Sequence, residues 1–330
     1  MDLKTKVYQM FILSPQGVDF DSEVQLCNAL KNGLGGVIYF TKNIQSIEQT
    51  KTLSDKIANI AKIKPFISID QEGGRVERTE NIYSGKKFLS ARYVAKKGVD
   101  FVKKQTQQIS ELLLELGVNM NFSPVLDVDT NPNNPIIGER AYSSNCDDVA
   151  EFGLLVMNTY IENEIIPVCK HFPGHGDTEA DSHIDLPVIN LSYEEYFDKH
   201  IFPFVSAIKN NAPAIMVGHI YCSCFDNEVK PASLSENVIK KFLLKQLNFN
   251  GLVVSDDMQM GGLKNYTSVE AVILGLKAGV NLFLYRDSTQ STIEIIENVY
   301  KQVKEDVELQ KLVDISYEKI ISLKRKFKII

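Results

Sequence analysis

The sequence has no apolar run long enough to span a membrane and no excess of positive charge. No eighteen consecutive apolar residues occur among its 330 residues, so we expect no membrane-spanning helix. The residues after Met1 lack the apolar segment and cleavage site of a secretory signal, so we expect a non-exported, cytoplasmic protein. The formal net charge of −6 argues against a general nucleic-acid-binding protein, whose surface would be basic.

The cysteines do not form a pattern that indicates disulfides or a zinc site. Their number is five, which is odd, and no two of them are separated by two residues. Cys222 and Cys224 are too isolated to bind zinc by themselves. The pattern favours unpaired thiols in a reducing compartment.

Eight short apolar runs, rich in β-branched residues, alternate with segments of helical composition. Near-continuous apolar strands that alternate with helices are typical of parallel strands buried on both faces. Eight such units favour a (β/α)₈ barrel over a doubly wound sheet. No linker-like composition divides the chain, so we expect one domain over residues 1–330. The predicted strands are Tyr8–Leu13, Gly36–Phe40, Pro65–Asp70, Val118–Pro124, Ile165–His171, Ala214–His219, Leu252–Asp256 and Val280–Tyr285.

Polar residues follow the ends of several predicted strands. The densest group runs from Lys170 to His183 and contains three of the five histidines. In a (β/α)₈ barrel, the loops after the carboxyl ends of the strands form the active site. We therefore expect these side chains to meet in one site.

The residue types at these strand ends suit glycoside hydrolysis. That reaction needs one group to attack or stabilise the anomeric carbon and another to protonate the leaving oxygen. Asp256 closes an apolar strand, which suits a rigid and partly desolvated nucleophile. His183, which Asp181 could orient or charge, suits the proton donor, because an imidazole titrates near neutral pH. Donors and acceptors suited to sugar hydroxyls are Asp70, Arg78, Arg140, Lys170 and His171.

Other polar residues have a structural interpretation beside the functional one. We expect Asp257 to cap a turn or point away, and His200 to lie on a helix surface. His219 could line the site or pack in the core, and Glu72 could pair with Arg75.

Further residues near the strand ends leave similar alternatives. Asp70 could cap the turn after its strand, and Asp127 and Asp129 could merely fix their own loop. Arg286 could contact an acidic aglycone, although we favour a pair with Asp287.

Five motifs, in the order in which the family has them, resemble glycoside hydrolase family 3. Within that family they are most similar to the single-domain, NagZ-type β-N-acetylglucosaminidase branch. The most specific motif is Lys-His-Phe-Pro-Gly-His-Gly at 170–176, followed by Asp-Ser-His at 181–183. The other motifs lie at 9–11, 35–40, 70–76 and 255–258, so the similarity extends over nearly the whole chain.

The resemblance implies a (β/α)₈ barrel that cleaves with retention of configuration. It implies that Asp256 forms the covalent glycosyl-enzyme and that His183, paired with Asp181, is the acid/base. The implied substrate is terminal β-linked N-acetylglucosamine next to anhydro-N-acetylmuramic acid in recycled cell-wall fragments. We expect a monomer without cofactor or metal, and no nucleic-acid or membrane partner. The sugar-binding positions of the family fall on Asp70, Arg78, Arg140, Lys170 and His171.

Three other functions fit parts of the sequence. The same fold could act on another sugar, as a β-glucosidase. It could also act as a phosphorylase, because a histidine acid/base leaves room for an anionic acceptor such as phosphate. A metal-dependent hydrolase could use His171, His175, His183 and Asp256 as ligands. A sugar-binding protein without catalysis would not need Asp256 and the pair of Asp181 and His183.

Overall fold

Eight parallel strands close into a barrel. The computed structural model describes residues 1–85, 87–178 and 186–330. Around the barrel the strands follow the order β1-β2-β3-β4-β5-β7-β9-β10, and β10 pairs with β1 to close the ring. β6 and β8 form a separate parallel pair. In chain order the strands are β1 (Phe11–Leu13), β2 (Gly36–Tyr39), β3 (Phe66–Ile69), β4 (Met120–Asn121), β5 (Ile166–Phe172), β6 (Val188–Ile189), β7 (Ala214–Val217), β8 (Tyr221–Cys222), β9 (Leu252–Asp257) and β10 (Leu282–Tyr285).

Helices connect the successive barrel strands and cover the barrel. A π-helical turn, Phe197–Ile201, joins α7 to α8, and a second π-helix covers Asn237–Gln246. None of the helices in the described part of the chain has the length and apolar character needed to cross a membrane. The α-helices are α1 (Leu3–Gln9), α2 (Val24–Asn32), α3 (Ile47–Ile60), α4 (Ala91–Ala95), α5 (Val99–Glu115), α6 (Cys146–Glu162), α7 (Tyr193–Tyr196), α8 (Phe202–Lys209), α9 (Ser268–Ala278), α10 (Gln290–Glu305) and α11 (Val307–Lys326).

The predicted (β/α)₈ barrel is confirmed, and each of the eight predicted runs overlaps one barrel strand, although β5 and β9 extend one residue past the predicted ends. The first predicted run begins too early, because Tyr8 and Gln9 belong to α1 and the strand begins at Phe11. Asp2 caps α1 by accepting the Thr5 backbone N–H at 2.9 Å, which fixes the start of this helix.

Turn and cap residues determine where the strands emerge. Thr267 and Glu270 form a reciprocal cap at the start of α9. The helix ends at Gly279, whose φ of 118° a residue with a side chain rarely adopts. β10 follows three residues later, so these signals fix the position of the last strand.

The barrel core supports the strand ends. All seven residues of β5 are buried, including Lys170 and His171 near its carboxyl end. The rings of Phe11 and Phe283 on adjacent strands pack with their centroids 5.8 Å apart. A close-packed interior of this kind holds the polar side chains above it in defined positions.

Candidate active site

One pocket of about 140 Å³ lies at the carboxyl ends of the barrel strands. It contains all five predicted sugar-binding residues together with Asp256, so the sequence correctly predicted that these six side chains meet. The lining residues are Asp70, Glu72, Val76, Arg78, Ile136, Arg140, Lys170, His171, His175, Met216, Asp256 and Met260.

A larger cavity of about 580 Å³ lies at the opposite end of the barrel. Pro213 and Gly251, which line it, come directly before β7 and β9. Among the described residues that line it, Lys209 and Lys326 are the charged ones and none is a carboxylate. Barrel enzymes place their chemistry at the other end, so the smaller pocket is the candidate active site.

Glu72 organises the cations of the pocket. Its two carboxylate oxygens accept from Arg140 Nε and Nη2, each at 2.8 Å. Lys170 Nζ lies 2.6 Å from Glu72 Oε1 and 2.5 Å from Asp70 Oδ1. Burial alone would raise the pKa of Glu72, but Arg140 and Lys170 hold it well below its usual range. These four groups form a largely buried network in which each charged group has a partner of opposite charge.

This network corrects one alternative from the sequence. Glu72 pairs with Arg140 and Lys170, whereas a guanidinium nitrogen of Arg75 donates to the Pro135 carbonyl oxygen at 3.2 Å. Arg140 is 68 positions from Glu72 in the chain, so local spacing could not indicate the pair.

Asp127 holds the carboxyl end of β5. It is fully buried, and its Oδ2 lies 2.6 Å from His171 Nδ1. Its Oδ1 accepts the His175 backbone N–H at 2.6 Å. Burial would raise the pKa of Asp127, but the hydrogen bonds that it accepts from His171 and His175 lower it. The carboxylate therefore fixes residues of a neighbouring strand, which goes beyond the predicted role in its own loop.

Asp129 acts within its own loop, as one alternative expected. Its Oδ2 lies 2.7 Å from Arg92 Nη2, and Arg92 Nε donates to the Ala141 carbonyl oxygen at 3.2 Å. This pair ties the loop between β4 and α6 to α4, outside the pocket.

Asp256 is a partly exposed carboxylate at the end of β9. Its Oδ1 accepts the Asp257 backbone N–H at 2.8 Å. Burial would raise its pKa, but the hydrogen bond from the Asp257 backbone N–H and proximity to the Lys170 ammonium lower it. Asp256 is therefore ionised at neutral pH, as a carboxylate nucleophile must be.

Asp257 has the structural role that the sequence suggested. Its Oδ1 accepts the Gln259 backbone N–H at 3.0 Å, and its Oδ2 lies 3.5 Å from Arg286 Nε.

The sequence favoured an ion pair between Arg286 and Asp287, and this prediction is wrong, because Arg286 pairs with Asp257. Asp287 instead accepts from Gln259 Nε2 at 2.6 Å and from the Thr289 backbone N–H at 3.1 Å.

His219 is a core histidine beneath Asp257. Its ring is fully buried, with Nδ1 2.7 Å from Ser233 Oγ and Nε2 3.0 Å from the Asp257 carbonyl oxygen. The packed alternative therefore describes this residue, and the ring supports the backbone that follows Asp256.

The expectation that His200 lies on a helix surface is wrong. Its side chain is fully buried, and its ring packs against Tyr196 at a centroid distance of 5.1 Å. Burial lowers its pKa to about 4. His200 lies in the π-helical turn between α7 and α8, four residues after buried Tyr196 and four before buried Phe204.

Arg78 presents part of its guanidinium to the pocket. Its Cζ lies 5.5 Å from the centre of the Phe40 ring, a distance typical of a cation–π contact. Its Nε is buried and makes no hydrogen bond in the described part of the chain. A buried donor without a partner is a suitable contact for a ligand oxygen.

The loop after β5 is anchored at both ends. Near its start, Asn134 Nδ2 donates to the carbonyl oxygens of His175 and Gly176 at 2.9 and 3.1 Å. Beyond it, β6 pairs with β8, and the Tyr221 backbone N–H donates to the Pro187 carbonyl oxygen at 2.8 Å. Asp181 and His183, the predicted acid/base pair, lie outside the described residues.

The metal hypothesis finds no ligand cluster in the described ranges. Among residues 1–85, 87–178 and 186–330, no group of three or more His, Cys, Asp or Glu side chains could hold a metal ion. His183, one of the four ligands in that hypothesis, lies outside these ranges.

Comparison with known proteins identifies the family. A model of the glycosyl hydrolase family 3 N-terminal domain matches residues 2–323. β-Hexosaminidase A of Pseudoalteromonas piscicida is 32% identical over 302 residues, which cover 84% of this chain and 50% of that protein. β-Hexosaminidase of Hydrogenovibrio crunogenus is 32% identical over 272 residues, covering 81% and 75% of the two chains.

A solved structure agrees with the sequence relatives. The family 3 β-N-acetylglucosaminidase from Paenibacillus sp. str. FPU-7 superposes with a TM-score of 0.93 at 30% identity, covering 100% of this chain and 63% of that chain. The chain thus spans about half to two thirds of the length of some relatives and three quarters of others. With this match over nearly its whole length, the chain belongs to glycosyl hydrolase family 3.

Proposed function

We propose that this protein is a retaining exo-β-N-acetylglucosaminidase. The observation that carries the proposal is the position of ionised Asp256 in the same pocket as the Glu72-centred network. The pocket is small and rests on the filled barrel, which suits one terminal sugar ring better than an internal segment of a polymer. The names of the relatives, β-hexosaminidase and β-N-acetylglucosaminidase, support the choice of sugar.

In the proposed mechanism, Asp256 attacks the anomeric carbon as the bond to the aglycone oxygen breaks. His183, oriented by Asp181, donates its proton to that oxygen. A water molecule then loses a proton to His183 and attacks the anomeric carbon, which releases Asp256. Two inversions give net retention.

The remaining pocket residues bind the sugar in this proposal. Asp70, Lys170 and Arg140 face the pocket from one network and suit the hydroxyls on one edge of the ring. Arg78 and His171 supply further polar contacts, from a guanidinium and an imidazole. Fixed donors of this kind orient the anomeric carbon for attack.

For the aglycone we propose anhydro-N-acetylmuramic acid or a muropeptide, and hence a role in peptidoglycan recycling. All five cysteines are free thiols, which suits a cytoplasmic location. We further propose that residues 1–330 act as one catalytic domain and as a monomer, because residues of one chain build the pocket.

The test is the release of nitrophenol from its β-N-acetylglucosaminide and its β-glucoside, with and without EDTA. We expect turnover of the acetylated sugar that is insensitive to EDTA and falls at least about 10⁴-fold in Asp256→Asn. Asp314→Asn, which removes an exposed carboxylate paired with Lys6, is the matched control and should keep wild-type rates.

Several results would contradict the proposal. Preference for the glucoside would overturn the substrate, and loss of activity with EDTA would favour the metal hypothesis. Formation of a sugar 1-phosphate in phosphate buffer would indicate a phosphorylase. No turnover of either substrate would favour a sugar-binding protein.

The acid/base role of His183 has its own test. We expect His183→Ala to slow substrates with poor leaving groups at least about 10²-fold more than nitrophenyl substrates, because an activated leaving group needs little protonation. Comparison of kcat/KM on a disaccharide and on the nitrophenyl glycoside measures this difference. Equal losses on both substrates would exclude His183 as the acid.

A further inference from the structure

We propose that Asp127 is a positioning residue that fixes the Nδ1–H tautomer of His171, so that Nε2 is an acceptor at the sugar-binding pocket. The kinetic part of this inference rests on the proposed function, whereas its structural part does not. Asp127 lies behind His171, outside the residues that line the pocket, so it acts through the imidazole.

Each side of the His171 ring faces a group with a fixed hydrogen-bonding role. Nδ1 lies 2.6 Å from Asp127 Oδ2, and a carboxylate can only accept, so Nδ1 carries the proton. Nε2 lies 3.4 Å from Arg140 Nη2, and a guanidinium can only donate, so Nε2 is the acceptor. Both neighbours therefore select the Nδ1–H tautomer.

Glu72 strengthens this selection from the other side of the pocket. It holds Arg140 through two hydrogen bonds, which fixes the guanidinium that faces Nε2. A proton on Nε2 would place two donors against each other. His171 is thus set between an anion behind the ring and a cation in front of it.

The two oxygens of Asp127 share the His171 backbone N–H, which lies 3.3 Å from each, and each oxygen also has a partner of its own. Oδ2 contacts the imidazole, whereas Oδ1 accepts the His175 backbone N–H at the start of the loop that leads to residue 179. The same carboxylate therefore positions a pocket side chain and anchors this loop.

This division makes Asp127→Asn an informative variant. The amide oxygen can replace Oδ1 and keep the contact with His175, while the amide nitrogen replaces Oδ2. That nitrogen can only donate to Nδ1, which forces the His171 proton onto Nε2 and against Arg140. The change removes little volume, so the tautomer is the main property that it alters.

The experiment combines ¹⁵N-histidine NMR with kinetics on the full chain. We expect His171 in the wild type to be protonated at Nδ1, with assignment from the signals missing in His171→Gln. Asp127→Asn should shift the proton to Nε2 and lower kcat/KM for nitrophenyl β-N-acetylglucosaminide by roughly 10²- to 10³-fold, as expected for a wrong tautomer. Asp129→Asn, two residues along and paired with Arg92 outside the pocket, is the control. It should leave the His171 spectrum unchanged and kcat/KM within about threefold.

The possible results separate the inference from the proposed function. A wild-type ring protonated at Nε2, or at both nitrogens, would overturn the inference whatever the substrate is. Unchanged His171 signals in Asp127→Asn with only a lower melting temperature would show a merely structural role. If Asp127→Asn does not fold, the wild-type spectrum decides. If the wild type does not cleave the glycoside, the proposed function fails while the tautomer result stands.

Discussion

Arg140 and Glu72 form a bidentate pair across the mouth of the barrel, with both hydrogen bonds 2.8 Å long. Their side chains are 10% and 5% exposed, so water hardly competes for either group. A bidentate geometry fixes the plane of the guanidinium as well as its position. The same Glu72 also contacts the ammonium of Lys170, which makes one carboxylate responsible for placing two cations.

We expect Glu72→Gln to weaken substrate binding and to destabilise the protein. Loss of the charge leaves Arg140 and Lys170 close together with Asp70 as the remaining anion of this network. Removing one partner of a buried ion pair costs about 3–5 kcal/mol in the free energy of unfolding. We expect KM for the nitrophenyl N-acetylglucosaminide to rise at least about tenfold, measured beside urea unfolding.

The control for this prediction is Glu23→Gln. Glu23 is also buried and accepts the backbone N–H groups of Gln16 and Gly17, but it lies outside the pocket. The Glu23→Gln protein should lose stability and keep the wild-type KM. A Glu72→Gln enzyme with wild-type KM would show that the network does not prepare the pocket for substrate.

The sequence is sufficient to predict the barrel and the residues at its mouth. Apolar runs of regular spacing determine strand order in a parallel barrel, and polar residues directly after those runs must gather at one end. Asp70 and Asp256 illustrate this, since each closes its run and each lines the pocket. The family motifs then add roles to residues whose positions the alternation already predicts.

Partners distant in the chain cannot be predicted in the same way. Local spacing pairs Glu72 with nearby Arg75, but tertiary packing brings Arg140 to it. Residue type suggested a surface position for His200, whereas tertiary packing buries its ring against Tyr196 on the inner face of the helix. The role of Asp127 toward His171 likewise depends on two adjacent strand ends, which spacing alone does not specify.

We expect His200→Phe to reduce the loss of stability that acid causes. The pKa of buried His200 is about 4, against 6.5 for an ordinary histidine, so the unfolded chain binds the proton first as pH falls. Its contribution is therefore complete above pH 6.5 and is lost as pH falls toward 4. Between pH 7.5 and 5, protonation linked to His200 should lower the free energy of unfolding of the wild type by about 1–2 kcal/mol. The His200→Phe protein should not show this loss.

Urea unfolding of both proteins at the two pH values measures this difference. Buried His175, whose pKa is also about 4, remains in both proteins, so both should lose some stability as the pH falls. An equal loss of stability in wild type and variant would show that His200 does not titrate in this range.

We expect Gly176→Ala to disturb the start of the loop after β5. A β-carbon at this position would lie 1.6 Å from the Val128 carbonyl oxygen, a distance that requires the backbone to move. The movement would stretch the hydrogen bond from Asn134 to the Gly176 carbonyl oxygen. Overpacking of this severity costs at least about 1–3 kcal/mol. Because the loop leads to His183, kcat should fall at least about tenfold, measured together with urea unfolding.

Gly17→Ala is the matched control for this last change. A β-carbon added at Gly17 would have no atom of the described residues within 4 Å apart from its chain neighbours, and Gly17 lies outside the pocket, so both stability and kcat should stay near wild type. The comparison separates a general effect of losing a glycine from contact with Val128. If Gly176→Ala lost stability but kept its kcat, the start of the loop would be required for folding and not for placing the acid/base. If it kept both, the close approach of Gly176 to Val128 would have no consequence for either property.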